Sequence, residues 1–168
     1  MINEKVHERI KKLRKLMTDN QIRFYLIPTS DFHQTEAVGS YFKAREYMSG
    51  FTGSEGTLLI GMYEAKLWVA GRYFLQAEKE LVGSGIDKME MGEKGVPTIE
   101  EYLRENLNAN DTLAFDGRVV NTAMFQEFEK IASEKRSKIK VDLDLVDSVW
   151  SDRPALPKYK AWKLPKTI

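Results

Sequence analysis

Hydrophobic positions along the chain follow a helical period in some segments and form short continuous runs in others. A helix over residues 3–17 is predicted by the spacing of its apolar positions, Val6, Ile10, Leu13 and Met17. The same period predicts helices at 36–48, 72–81, 99–107, 122–134 and 145–150. Short apolar runs predict strands at 23–27, 57–62, 67–70, 87–91, 112–115 and 139–143. Because strands alternate with helices, we expect an α/β fold in which helices flank a mixed β-sheet.

The most informative stretch covers residues 49–76. Three glycines, Gly50, Gly53 and Gly56, precede two apolar runs that have the spacing of a β-hairpin. Arg72 follows the second run, where a helix is predicted to begin. Because hairpin strands are antiparallel, we expect the glycine-rich loop and Arg72 at the same edge of the sheet.

Arg72 differs from the other charged residues in its predicted position. A guanidinium at the start of a helix opposes the helix dipole unless an acceptor compensates it. Its planar fork suits carboxylate or peptide oxygens. Two interpretations therefore stay open, namely a salt bridge to a local Asp or Glu and a contact with a bound ligand.

The remaining candidates for chemistry fit known sites poorly. The glycine-rich loop lacks the lysine of the P-loop and the dinucleotide-binding glycine order, and G-x-S-x-G is absent around Ser49 and Ser54. Asp31, His33 and Glu36 are of the right types for a metal or for proton transfer, but their spacing matches no closed site. A structural or substrate-rim role is favoured for them. Acidic residues that follow predicted strands suit either nuclease-type chemistry or turns, and turns are favoured: Asp31, Asp116, Asp142 and Asp144.

Composition narrows the classes of protein further. Hydrophobic residues make up 42% and charged residues 30%, with a net charge of +1, so we expect a soluble domain without nucleic-acid or membrane partners. The lack of cysteine excludes disulfides, thiolate metal sites and a cysteine nucleophile. No signal peptide or membrane-length apolar run is found, so a cytoplasmic location is expected. We predict one domain at residues 1–152, and a Pro-rich linker at 153–168 toward absent downstream domains.

Five segments together resemble one known family. They lie at residues 27–36, 49–57, 67–78, 95–103 and 145–157 and include SGFTGSEGT, G-R-Y-F-L-Q and W-S-D-R-P. In this order they resemble the N-terminal domain of cytosolic-type Xaa-Pro aminopeptidase (aminopeptidase P), within the creatinase/prolidase group. The resemblance implies a ribonuclease-H-like fold, and it covers nearly the whole chain.

The resemblance also implies a function for the longer protein. Such enzymes release the N-terminal residue from Xaa-Pro peptides with two divalent metals, typically manganese, held in a downstream catalytic domain. No catalytic residue, metal ligand or cofactor is then expected in this chain, which would shape the active-site entrance and support a homo-oligomer. Arg72 would contact the peptide substrate, although Ala70 stands where the family has an aspartate. Rim or interface roles are expected for His33, Phe51, Gly53, Ser54 and Tyr73.

Two alternatives remain at this level. The chain resembles, more broadly, the N-terminal domain of a related prolidase or creatinase-like hydrolase. It would also suit a free-standing α/β binding module. The three interpretations share one fold and differ in the polypeptide expected after residue 168.

Overall fold

The computed structural model describes residues 2–164, which contain six strands and six α-helices. The strands are β1 (Phe24–Pro28), β2 (Thr57–Gly61), β3 (Ala65–Val69), β4 (Asp87–Glu90), β5 (Thr112–Ala114) and β6 (Lys138–Lys140). The helices are α1 (Glu4–Asp19), α2 (Ala44–Ser49), α3 (Phe74–Glu80), α4 (Ile99–Asn106), α5 (Thr122–Lys135) and α6 (Leu145–Val149). Short 3-10 turns cover Ser40–Phe42, Gly71–Tyr73 and Gly117–Val119.

The strands form one mixed sheet in the order β4-β3-β2-β1-β5-β6. Strand β2 pairs antiparallel with both β1 and β3, whereas the other neighbouring pairs are parallel. Five strands therefore run in one direction and β2 alone runs in the other. The predicted mixed α/β sheet is confirmed.

Alternating side chains of the central strands divide the core into two layers. Tyr25 and Ile27 of β1 pack with α1, α2 and α6 on one face of the sheet. Phe24 and Leu26 of the same strand pack with α4 and α5 on the other face. Because both faces of β1 are covered, this strand appears in the sequence as a continuous apolar run.

Local signals place several helix ends. The predicted capping box of α4 is present, since Thr98 accepts from the Glu101 amide while the Glu101 carboxylate accepts from the Thr98 amide. Helix α2 ends at Gly50, which has a left-handed φ of 75°. The glycine-rich loop therefore begins with a residue that most side chains would disfavour.

Three predicted elements are shorter than expected. The helix predicted at 36–48 is replaced by a 3-10 turn and α2, because Gly39 is extended, with φ −67° and ψ 166°. Arg72 lies in a 3-10 turn before α3 and not in the helix itself. Strand β6 ends at Lys140, and beyond it Asp142 forms only an isolated bridge with Asp116.

The segment predicted as a linker begins within the folded body. Arg153 has a side chain that is only 8% exposed, and it pairs with Asp144 and Asp147 and donates to the Tyr41 carbonyl. Residues 154–164 contain neither helix nor strand and are exposed. The last part of the predicted linker, 165–168, lies outside the described residues. None of the described helices is long and apolar enough to cross a membrane.

Candidate functional site

Most of the candidate residues lie at one edge of the sheet, where the parallel strands have their carboxyl ends. The loops after β1, β3, β4 and β5 leave this edge, and the glycine-rich loop (residues 50–56) enters β2 there. Pairing of Thr57 with Trp68 fixes the two ends of the hairpin side by side, as predicted. Loops at the carboxyl edge of such sheets are the usual place for ligand sites.

A cavity of about 430 Å³ lies at this edge, and we call it the edge cavity. Its walls come from the β1 and β4 loops, the glycine-rich loop and the first turns of α4 and α5. The lining is mostly apolar, with polar groups from Thr29, Ser30, Gln34, Glu55, Thr57, Thr98, Glu100 and Asn121. Trp68 forms part of the wall and donates its indole N–H to the Pro97 carbonyl over 2.8 Å.

The glycine-rich loop is held from below by a buried arginine. Arg45 of α2 is 3% exposed and donates to the carbonyls of Phe51 and Gly53 and to the Thr29 hydroxyl. Burial lowers the pKa of Arg45 to about 10, so the side chain remains charged at neutral pH. One cation thus satisfies two loop carbonyls and joins the loop to the end of β1.

A carboxylate of α3 holds the same loop from the other side. Glu80 accepts from the Thr52 amide over 2.7 Å and from the Thr52 hydroxyl over 2.8 Å. Gln76 of α3 also donates to the Thr52 hydroxyl. The loop is therefore tied to both helices that flank the hairpin.

Arg72 pairs with the carboxylate of Glu55 in the glycine-rich loop. Its Nη2 donates to Glu55 Oε2, while the two side chains are 64% and 55% exposed. The next residue, Tyr73, has its hydroxyl 2.5 Å from the Ser54 hydroxyl. Hydrogen bonding to Ser54 and to Arg72 lowers the pKa of Tyr73. Three exposed residues and the half-buried Tyr73 therefore form one cluster, which we call the Arg72 cluster: Ser54, Glu55, Arg72 and Tyr73.

Two residues predicted at the rim, Phe51 and Gly53, are buried on the core side of the glycine-rich loop. Phe51 is 0% exposed and packs in the core, with its ring 5.9 Å from the Tyr73 ring. Gly53 is also buried, and a Cβ built on it would lie 2.2 Å from Phe51 Cζ. Within this chain both residues support the loop, and neither presents a side chain at its surface.

The loop after β1 is organised by the carboxylate of Asp31. Its carboxylate accepts from the His33 amide over 2.8 Å, from the Thr35 amide over 3.0 Å and from the Thr35 hydroxyl. These hydrogen bonds, led by that of the Thr35 hydroxyl, lower the pKa of Asp31. His33 is exposed, and Glu36 is exposed as well. The structural role favoured for Asp31 agrees with this geometry.

Two of the other acidic candidates, Asp116 and Asp144, are paired with arginines, whereas Asp142 is exposed. Asp116 accepts from Arg118, and Asp144 lies 2.7 Å from Arg153 and 3.5 Å from Arg118. Among residues 2–164, no three His, Cys, Asp or Glu side chains stand close enough to hold a metal ion. The residues present therefore do not fit a metal centre.

Sequence reasoning missed the partners of the candidate residues. Glu55, Arg45 and Glu80 make the contacts that hold the loop and Arg72, yet none of them belongs to a spacing pattern that would single it out. A local carboxylate for Arg72 was one of the two open interpretations, and Glu55 is that carboxylate.

Curated Xaa-Pro aminopeptidases are similar in sequence to nearly the whole of this chain. Xaa-Pro aminopeptidase 1 of Dictyostelium discoideum is 36% identical over 160 residues, which are 92% of this chain but 25% of that protein. The chain thus spans about a quarter of the length of the curated relatives it matches.

Solved structures share the fold. The X-prolyl aminopeptidase of Caenorhabditis elegans, described as a cytosolic enzyme with a di-nuclear active site, superposes with a TM-score of 0.83 and 28% identity. That match covers 90% of this chain and 26% of the nematode protein. The N-terminal domain of a cytoplasmic peptidase of Mycobacterium tuberculosis has a TM-score of 0.58 at 23% identity, over 84% of this chain and 98% of that one. This second likeness concerns the fold alone.

A family model decides the assignment. The model described as the creatinase/prolidase N-terminal domain matches residues 9–148, which include all six strands and the Arg72 cluster. The chain belongs to the creatinase/prolidase N-terminal domain family.

Proposed function

We propose that this chain is the non-catalytic N-terminal domain of a proline-specific metallo-aminopeptidase, which releases the N-terminal residue from Xaa-Pro peptides. The observation that carries the proposal is the sequence identity with Xaa-Pro aminopeptidases. It extends over almost the whole of this chain but over only a quarter of the relative's length. The curated relatives that match at 34–38% identity carry the names Xaa-Pro aminopeptidase or aminopeptidase P, which supports an aminopeptidase over a prolidase. A free-standing binding module is less well supported, because the relatives are much longer.

In this proposal the domain covers residues 1–152 and the following segment leads to a catalytic domain. Two divalent metals, with manganese as the proposed ion, would be held by residues outside the described part of this chain, since that part lacks a suitable cluster. The cytosolic description of the nematode relative supports a cytoplasmic location. Assembly into a homo-oligomer is proposed from the family resemblance.

Within the proposed enzyme, the Arg72 cluster would stand at the active-site entrance. Arg72 is an exposed cation of the sheet edge, and its guanidinium can donate to peptide oxygens. Ser54 and Tyr73 would shape the rim beside it, with His33 on the neighbouring loop. Phe51 and Gly53 would act from beneath, by fixing the glycine-rich loop.

The test replaces Arg72 in the longer protein that carries this domain. For Arg72→Ala we expect kcat/KM for Xaa-Pro peptides to fall about tenfold, because the variant loses a charge-assisted hydrogen bond to the peptide. Arg136→Ala is a matched control, since that arginine is exposed at the end of α5. Unchanged kcat/KM in the Arg72 variant would rule out the positioning role.

A second measurement tests the activity itself. The longer protein supplied with manganese is expected to release the first residue from a peptide with proline in second place. The same peptide with alanine in that place is expected to be cleaved far more slowly. Equal rates for the two peptides would contradict proline specificity.

A further inference from the structure

Glu55 and Arg72 form an exposed ion pair whose two members come from different segments. Glu55 lies between Ser54 and Gly56 in the glycine-rich loop, and Arg72 lies in the turn after β3. Ala70, two residues before Arg72, offers no carboxylate, so the carboxylate that pairs with this guanidinium is that of Glu55, while Glu36 is a further and weaker negative influence on it. The antiparallel hairpin brings the two segments together.

Glu55 of this pair lines the edge cavity, and the charged residues of that lining are acidic. Glu55 and Glu100 line it, and the lining includes no lysine, arginine or histidine among residues 2–164. Arg72 is not itself part of this lining but follows the wall residue Ala70 by two positions, and Glu55, which does line the cavity, pairs with it.

The pairing leaves part of the guanidinium available. Glu55 accepts from Nη2 and Tyr73 shares a second hydrogen bond with the guanidinium, but the fork carries more N–H donors than these two partners use. The remaining N–H groups can donate to a neutral carbonyl oxygen. A carboxylate in the same place would also meet the negative charge of Glu55 at close range, which costs free energy even in a solvated setting.

We propose that Glu55 sets the charge preference of the Arg72 cluster, so that it favours a neutral peptide carbonyl over a free carboxylate. This inference rests on the proposed function. It specifies the substrate class as peptides whose chain continues past the substrate residue that contacts Arg72, so that this residue presents a peptide carbonyl and not a C-terminal carboxylate. Glu55 is a positioning and specificity residue in this account, and it takes no part in bond cleavage.

The experiment compares acids with amides in the longer protein. Dipeptide Xaa-Pro and tripeptide Xaa-Pro-Xaa substrates are each prepared with a free C-terminal carboxylate and with a C-terminal amide. For Glu55→Gln we expect the acid-to-amide ratio of kcat/KM to rise about two- to fivefold, at the peptide length that brings the carboxylate next to Arg72. The change should appear in KM for the acid with kcat nearly constant, and it should shrink at high ionic strength.

Two variants separate charge from shape. Glu55→Asp keeps the negative charge and is expected to retain a ratio close to that of the unchanged protein. Glu105→Gln removes an exposed charge from the last turns of α4, away from the cavity, and is expected to leave every ratio unchanged. Because Glu55 is more than half exposed, Glu55→Gln is expected to fold normally, which circular dichroism checks.

The outcomes distinguish the two proposals. If Arg72→Ala lowers kcat/KM but Glu55→Gln leaves the acid-to-amide ratio unchanged at both peptide lengths, the charge preference assigned to Glu55 is wrong and the role of Arg72 stands. If Arg72→Ala leaves kcat/KM unchanged for every substrate, the proposed contact between Arg72 and the peptide is wrong, and the inference about Glu55 is wrong with it. A ratio that rises equally in Glu55→Asp and Glu55→Gln would also overturn the inference, because loss of charge would not be the cause.

Discussion

Gly53 shows how a single hydrogen atom in place of a methyl group permits the glycine-rich loop to close over the core. The Phe51 ring occupies the place where a side chain on Gly53 would stand, with Cζ 2.2 Å from a Cβ built there. The ring is completely buried and cannot move outward without disturbing its neighbours. Gly53 is therefore required for close packing at this position.

We expect Gly53→Ala to lower the free energy of unfolding by about 1–3 kcal/mol, as overpacking of a filled core does. Urea denaturation followed by circular dichroism measures it. Gly39→Ala is the matched control, because a Cβ there has nothing within 4 Å and its φ of −67° suits alanine. Equal stability of the two variants would show that the Phe51 ring can give way at little cost.

At the same scale, hydrogen bonds that cross between segments decide the role of each charged residue. Arg45, Glu80 and Glu55 lie on three different elements, and each reaches the glycine-rich loop or its neighbour Arg72. Such contacts depend on where the elements lie in space. The spacing of residues along the chain therefore carried no signal for them.

The loop after β1 illustrates a whole element held by one carboxylate. Asp31 accepts three hydrogen bonds from His33 and Thr35, so its folded-state pKa is lowered. For an acid with a lowered pKa, the stabilisation is complete above the unfolded pKa, about 4. It is lost as the pH falls through the lower folded pKa, where the carboxylate becomes protonated.

We therefore expect thermal stability to decline below about pH 4 partly through Asp31. Asp31→Asn should lower Tm at pH 7 and should make Tm less dependent on pH in that acidic range, as measured by scanning calorimetry. Asp152→Asn, at an exposed position after α6, is the control and should leave the pH profile unchanged. An acidic profile that is identical in Asp31→Asn and in the unchanged protein would contradict this account.

The hairpin is the element whose prediction succeeded most fully. Two apolar runs with a short break predicted β2 and β3, and their antiparallel pairing brought Arg72 to the glycine-rich loop. The helix predicted at 36–48 failed because apolar spacing was followed through Gly39, whose extended backbone separates the Asp31 loop from the next turn. A periodic pattern does not record the backbone angles of one glycine.

For the whole molecule, both faces of the sheet are covered by helices of this chain. The two cores are filled by its own residues, and the exposed polar cluster stands at the carboxyl edge of the sheet. This architecture fits a domain that folds around its own core and presents one edge to other parts of a larger protein.

We expect this chain to be indifferent to divalent metals. No suitable ligand cluster is found within residues 2–164, so Mn²⁺ should give no saturable heat in titration calorimetry, and EDTA should not change Tm. The longer protein, titrated under the same conditions, is the comparison and should bind the ion. Micromolar binding of Mn²⁺ by this chain alone would contradict the proposed division of roles and revive a metal-binding module.

The amino-acid sequence by itself determined the class of fold, most of the strands and helices, the capping box of α4 and the shared edge of the glycine-rich loop and Arg72. These features arise from local periodicity, turn chemistry and the antiparallel geometry of a hairpin, which act over short distances along the chain. Only the tertiary structure decided that Phe51 and Gly53 lie beneath the rim, that Asp31 organises a loop, and that Glu55 neutralises Arg72. Those outcomes depend on contacts between distant segments, because packing and charge pairing act through space.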